Sequence, residues 1–137
     1  LLSPNAYREF ILPLHRALFE EMKVRGIGGR LHMCGNTLAI LPESMQCGAY
    51  IIDIDHATDF PAALAAVGDR CVLNGNIDPV ADVFDCDAAH TKAAIERCAD
   101  LAAGHRALFM PGCELPTATP LENIRAIHEA LCSIAAR

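Results

Sequence analysis

Arg30-Leu-His-Met-Cys-Gly-Asn36 reads as a short β-strand, Arg30 to Cys34, followed by Gly35-Asn36-Thr37 as the cap of a helix running to about Gln46. Side chains alternate along a strand, so His32 and Cys34 point to the same side. An imidazole beside a thiolate suits Zn2+, which takes nitrogen and sulfur in a tetrahedral shell. A third donor stands in Met110-Pro-Gly-Cys-Glu-Leu115, where Cys113 again follows an apolar run. Three protein ligands leave a fourth position open for water or substrate, and that distinguishes a catalytic zinc from a structural one. Glu114, next to Cys113, is placed to supply an oxygen when no substrate is bound.

Outward from this strand the same alternation repeats. Upstream, Ser3-Pro4 starts a helix, with a hydroxyl cap and a proline where a missing N–H does no harm. Phe10, Ile11, Leu14, Leu18 and Met22 form one apolar stripe along it, and Pro13 predicts a kink or break near Leu12. Downstream, Pro42 makes the second helix irregular, Ala49 to Asp55 is a β-branched strand, and Phe60 to Val67 is a short helix stopped by Gly68. Cys71 to Ile77 is the third strand, with Gly75 kept for close backbone approach. Asp78-Pro79 opens a helical region toward Ala103, interrupted around Asp85 to Asp87. Ala107 to Met110 is the fourth strand. Thr119-Pro-Leu-Glu122 reads as a capping box before a terminal helix from Pro120 to about Ala135.

Strands alternating with helices imply parallel pairing with right-handed crossovers, an α/β fold. The chemical side chains (His32, Cys34, Asp53, Asp55, Asn76, Asp78, Cys113) fall at or just past the C-terminal ends of strands, the face on which a (β/α)8 TIM barrel carries its active site. Four βα units preceded by a helix are half of such a barrel, and a whole one takes about 250 residues. The 137 residues are therefore expected to be a single domain, 1–137, the C-terminal half-barrel of a longer chain. Open sheet edges and an apolar surface facing the missing half predict self-association as a two-fold homodimer.

Composition narrows the partners. A net charge of −6, with no cluster of Lys or Arg, argues against nucleic acid or an anionic membrane surface. No apolar run approaches the ~18–20 residues that cross a bilayer. The opening Leu1-Leu-Ser-Pro4 lacks the basic region of a signal peptide, and the absent initial Met fits a processed chain or a piece of a longer one. Seven cysteines without a paired framework read as free thiols in a reducing cytoplasm. Cys47, Cys71, Cys98 and Cys132 are expected in the core, and His15, His90, His105 and His128 on the surface.

Ser3-Pro4…Tyr7…Glu9-Phe10…Pro13, His32-Met-Cys-Gly-Asn36, Asn74-Gly-Asn-Ile-Asp-Pro79 and Thr119-Pro-Leu-Glu-Asn-Ile124 occur in this order over nearly the whole chain. Together they resemble the C-terminal half of the uroporphyrinogen decarboxylase superfamily. Its decarboxylases carry His-Gly in the last strand's loop, where this chain has Pro111-Gly112-Cys113. A His-x-Cys pair with a late Gly-Cys resembles the other branch, the zinc-dependent methylcobamide:coenzyme M methyltransferases. The resemblance implies His32, Cys34 and Cys113 as zinc ligands, and methyl transfer from a methylated corrinoid protein to a small thiol such as coenzyme M.

Asp55 and Asp78 are the candidate catalytic residues, although Asp78 also has a sufficient role as a helix cap. Asn76 and His56 are the candidate substrate-binding residues. Two other functions stay open. One is metal-free decarboxylation of a tetrapyrrole, for which Arg30 is the only strand-associated cation near the site. The other is a half-barrel that binds zinc and does no chemistry.

Overall fold

The computed structural model describes residues 2–68 and 70–136. Strands β1 (Arg30–Met33), β2 (Ile51–Ile54), β3 (Val72–Asn74) and β4 (Ala107–Leu108) form one sheet in the order β1-β2-β3-β4, and every pairing is parallel. A crossover lies between each consecutive pair, as successive βα units require. The helices are α1 (Pro4–Ala6), α2 (Leu12–Val24), α3 (Leu41–Ser44), α4 (Phe60–Val67), α5 (Ala88–Leu101) and α6 (Leu121–Ala135). No helix is long and apolar enough to cross a membrane among the described residues.

Register gives the sheet two unlike faces. Leu31, Ile52 and Leu73 lie in one row across the strands, and His32, Asp53 and Asn74 in the next. The first row is buried under the helices. Ile52 and Leu73 share a core with Ile54, Phe60, Leu64, Val67, Ile95 and Ala130, which come from β2, α4, α5 and α6. The second row looks away from the helices and is polar. The open side of the sheet is thus a polar lining around the strand ends rather than the apolar surface expected for it. The exposed apolar side chains sit elsewhere, on Phe10, Leu14 and Leu18 of the N-terminal helical segment and on Leu108 of β4.

Several local expectations are corrected. The N-terminal segment is not one stripe, because a π-helical turn, Tyr7–Ile11, separates α1 from α2. Pro13 stands in the first turn of α2 and cannot donate a backbone hydrogen bond, so the regular ladder breaks just before it. The turn closes from the Leu12 amide to the Tyr7 carbonyl and turns Tyr7, Leu12 and Phe19 inward, leaving Phe10, Leu14 and Leu18 outside. The helical region after Asp78 begins as a second π turn, Val80–Phe84, and breaks at residues 85–87 as expected, where Asp87 caps α5 through the His90 amide at 2.8 Å.

Thr119 makes no capping box. Its hydroxyl donates to the Pro116 carbonyl at 2.7 Å, and α6 begins after Pro120 with no side-chain cap. Cys47, Cys71 and Cys98 are buried as expected, whereas Cys132 is exposed on the outer side of α6, beside His128. His15 is half-buried and hydrogen-bonds the Tyr7 hydroxyl at 3.0 Å, because α2 packs that ring against Tyr7 and Phe19.

Candidate metal centre

Strand β1 presents His32 and, just beyond its end, Cys34. Cys113 arrives from the loop after β4, and that loop is tied to the continuation of β3. The Ile77 amide donates to the Met110 carbonyl at 3.3 Å, and the Gly112 amide donates to the Ile77 carbonyl at 2.9 Å. Gly112 then crosses directly over the end of β2. A Cβ at that position would meet the His56 backbone nitrogen, and the Asp55 carbonyl carbon at 2.9 Å. This close crossing brings Cys113 over to the side of β1. Gly75 is equally tight, since a Cβ there would lie 2.6 Å from the Ile54 carbonyl oxygen.

The three donor atoms form a small triangle. His32 Nε2 is 3.3 Å from Cys34 Sγ, Cys34 Sγ is 3.6 Å from Cys113 Sγ, and Cys113 Sγ is 3.9 Å from His32 Nε2. An ion with zinc's bond lengths and tetrahedral angles would set two sulfurs about 3.8 Å apart, and sulfur and nitrogen about 3.6 Å apart. The residues therefore fit such an ion with almost no movement. The Cys113 thiol beside Cys34 pushes the Cys34 thiol up, first by the hydrogen bond between them and then by charge. A cation between two thiolates would reverse that effect. Arg30, Asp53, Met110 and Glu114 line the same cleft, of about 370 Å³, as the three donors.

Asp55, His56, Asn76 and Asp78 form a second group beside the first, and none of the four lines that cleft. Asp55 is buried and accepts from the Gly35 amide at 2.8 Å and the Ala57 amide at 3.0 Å, with His56 Nδ1 2.9 Å away. His56 Nε2 lies 3.6 Å from Asp78 Oδ2, while Asp78 Oδ1 receives the Val80 and Ala81 amides at 2.8 and 3.0 Å. Asn76 donates to the Thr58 carbonyl at 2.7 Å. Together these contacts fasten the β1, β2 and β3 loops to one another. Asp55 does this directly beneath Cys34, through Gly35.

Burial pushes the Asp55 carboxyl up, but the Ala57 and Gly35 amides and the nearby His56 and His32 outweigh it, holding the group below its ordinary value of 3.8. A depressed carboxylate contributes stability that is present above its unfolded-state value and is lost as pH falls through the folded one. We expect the chain to lose stability below about pH 4, and Asp55→Asn to flatten that acid limb in denaturant melts taken between pH 5 and pH 2.5. An unchanged acid limb in the variant would assign the loss to other carboxylates.

The pairing of Asp53 was not legible from the sequence. Arg30 Nε donates to Asp53 Oδ2 at 2.6 Å, and Asn74 Nδ2 donates to Asp53 Oδ1 at 2.7 Å. One signal was available: polar residues recur at alternate positions in β1, β2 and β3 (Arg30 and His32, Asp53 and Asp55, Asn74 and Asn76), marking one face of the sheet.

The uroporphyrinogen decarboxylase (URO-D) family matches residues 1–133. A methylcobamide:CoM methyltransferase, MtbA, from Methanosarcina acetivorans is 29% identical over 129 residues, which are 94% of this chain and 37% of that protein. A uroporphyrinogen decarboxylase from Coxiella burnetii is 30% identical over 135 residues, covering 96% of this chain and 37% of that protein. The structure of a methyltransferase from Methanosarcina mazei aligns with a TM-score of 0.86 at 24% identity, over 98% of this chain and 39% of that one. The chain thus spans well under half the length of these relatives, and its fold is that of four βα units of a TIM barrel preceded by a helix. The relatives are enzymes of two kinds, methyltransferases and decarboxylases. This chain belongs to the uroporphyrinogen decarboxylase (URO-D) family.

Proposed function

We propose that residues 1–137 are the C-terminal half-barrel, and the metal-binding part, of a zinc-dependent methyltransferase that moves a methyl group from a methylated corrinoid protein to a small thiol such as coenzyme M. The observation that carries this reading is the triangle of one imidazole nitrogen and two sulfurs, sized for tetrahedral zinc. Zinc, when bound, supplies the positive charge that lets a thiol give up its proton near neutral pH. His32, Cys34 and Cys113 would hold the ion, and the thiol would enter through the cleft that they line with Glu114. The two cysteines add electron density that keeps an incoming thiol nucleophilic.

Asp55 and Asp78, the proposed catalytic pair, flank His56 and hold its imidazole beside the metal cleft, where in this reading it contributes to the substrate site of the longer protein. Asn76, with its amide nitrogen committed to the Thr58 carbonyl, is the other proposed substrate-binding residue, beside the cleft rather than on it. The two zinc thiols lie 3.6 Å apart and need a reducing compartment, which makes the cytoplasm the proposed location.

A decarboxylase is the competing reading, since decarboxylases are about as similar in sequence. A metal-free decarboxylation has no use for the sulfur and nitrogen triangle, and Arg30, the cation it would need, is engaged by Asp53. A half-barrel that binds zinc without catalysis would behave alike in metal analysis and differ in turnover.

Elemental analysis of the chain, purified without a metal-affinity tag, is expected to find about one zinc per chain; a folded, metal-free protein would overturn the assignment. Methyl transfer from methylcobalamin to coenzyme M should be weak with this chain alone, because the outer shell of the site and the substrate pocket extend into strands it lacks. A longer protein carrying the remaining strands should turn over. If that longer protein also fails, the non-catalytic reading takes its place.

The exposed row of Phe10, Leu14 and Leu18, with the unpaired edges of β1 and β4, is proposed to drive self-association as a two-fold dimer. Light scattering on dilute protein checks this, and a monodisperse monomer would contradict it.

A further inference from the structure

We infer that Asp53 is a positioning residue that sets the tautomer of His32, keeping the ring proton on Nδ1 so that the Nε2 lone pair faces Cys34 and Cys113. The tautomer claim concerns this chain alone; its purpose rests on the metal reading above. His32 turns Nε2 to the two sulfurs, at 3.3 and 3.9 Å, and Nδ1 to Asp53 Oδ2, at 3.6 Å. A neutral histidine in water prefers its proton on Nε2, which would point a donor rather than a lone pair at the cysteines. An anionic acceptor beside Nδ1 reverses that preference.

Asp53 is built to be that acceptor. It is 5% exposed and sits in register between His32 on β1 and Asn74 on β3. Arg30 Nε holds Oδ2 at 2.6 Å, and Asn74 Nδ2 holds Oδ1 at 2.7 Å, so the carboxylate is aimed from three strands rather than from a loop. Asp55, the other carboxylate on this side of β2, is already occupied by the Gly35 and Ala57 amides and by His56. The 3.6 Å gap is an ion-pair distance, longer than a hydrogen bond. At that distance the carboxylate charge still attracts a proton on Nδ1 without a hydrogen bond between them. A carboxylate on the far nitrogen of a metal-ligating histidine fixes the ring and makes it a better donor, and losing that partner costs about 10–100-fold in metal affinity.

Two measurements test this. Nitrogen-15 correlation spectra of the metal-free chain at pH 8 read the tautomer directly: the wild type should show His32 protonated on Nδ1, and Asp53→Asn should shift it toward Nε2. Zinc affinity by competition with a chromophoric chelator should fall about 10–100-fold in Asp53→Asn. A wild-type His32 protonated on Nε2, or a tautomer unchanged by D53N, overturns the inference. If D53N does not fold, the wild-type spectrum decides alone. Equal zinc affinity in D53N and wild type overturns the inference and leaves the metal reading standing. A wild type with the Nδ1–H tautomer but no zinc binding does the opposite.

Discussion

Replacing Cys34 or Cys113 by serine is expected to strip most of the metal from the chain while leaving its fold intact. Each substitution removes one of three protein donors, and a serine hydroxyl does not ionise near neutral pH to replace the thiolate. The affinity loss should exceed the about 10–100-fold that follows from losing a mere outer partner of a ligand. The fold should be spared because Cys34 is exposed and Cys113 half-buried, so neither leaves a core cavity. Without metal, stability should stay within about 0.5 kcal/mol of the wild type, the usual range for surface changes. Cys98→Ser makes the contrast: Cys98 is 4% exposed within the main core, so this change should destabilise the chain and spare the metal. Elemental analysis beside thermal melts separates the two patterns. A Cys34→Ser protein with its full complement of zinc would remove Cys34 from the site.

One added methyl group at Gly112, the Gly112→Ala variant, should damage the site. The added carbon would fall on the His56 backbone nitrogen, and lie 2.9 and 3.1 Å from the Asp55 carbonyl carbon and Cα. All three are backbone atoms, so no side chain can swing away to make room. The loop must lift from β2, and Cys113, the next residue, moves with it. We expect a loss of about 1–3 kcal/mol of stability from the overpacking, and a fall in zinc affinity comparable to that of Cys113→Ser. Urea melts and the chelator competition measure the two effects. A Gly112→Ala protein that binds zinc as tightly as the wild type would mean that the loop yields without carrying Cys113 away.

The parts of this molecule legible in the sequence are those decided within a few residues. Alternation along β1 puts His32 and Cys34 on one side because the strand period is two, and that needs no knowledge of neighbours. Ser3 caps α1 by accepting from the Ala6 amide, as short-range hydrogen-bonding chemistry dictates. The succession of strands and helices specifies a parallel sheet, and Gly75 was recognisable as a close approach from its place between two asparagines.

Tertiary structure decided what depends on partners distant in the chain. The π turn before Pro13 adds a residue to the helix and rotates its buried face from Phe10, Leu14 and Leu18 to Tyr7, Leu12 and Phe19, which no regular period anticipates. Thr119 had the composition of a cap, and the nearby Pro116 carbonyl took its hydroxyl. Above all, Cys113 reaches His32 across 81 residues only because Gly112 lets one loop lie on another. Asp53 meets Arg30, His32 and Asn74 only through strand register, a long-range property that side-chain alternation within a strand does not specify.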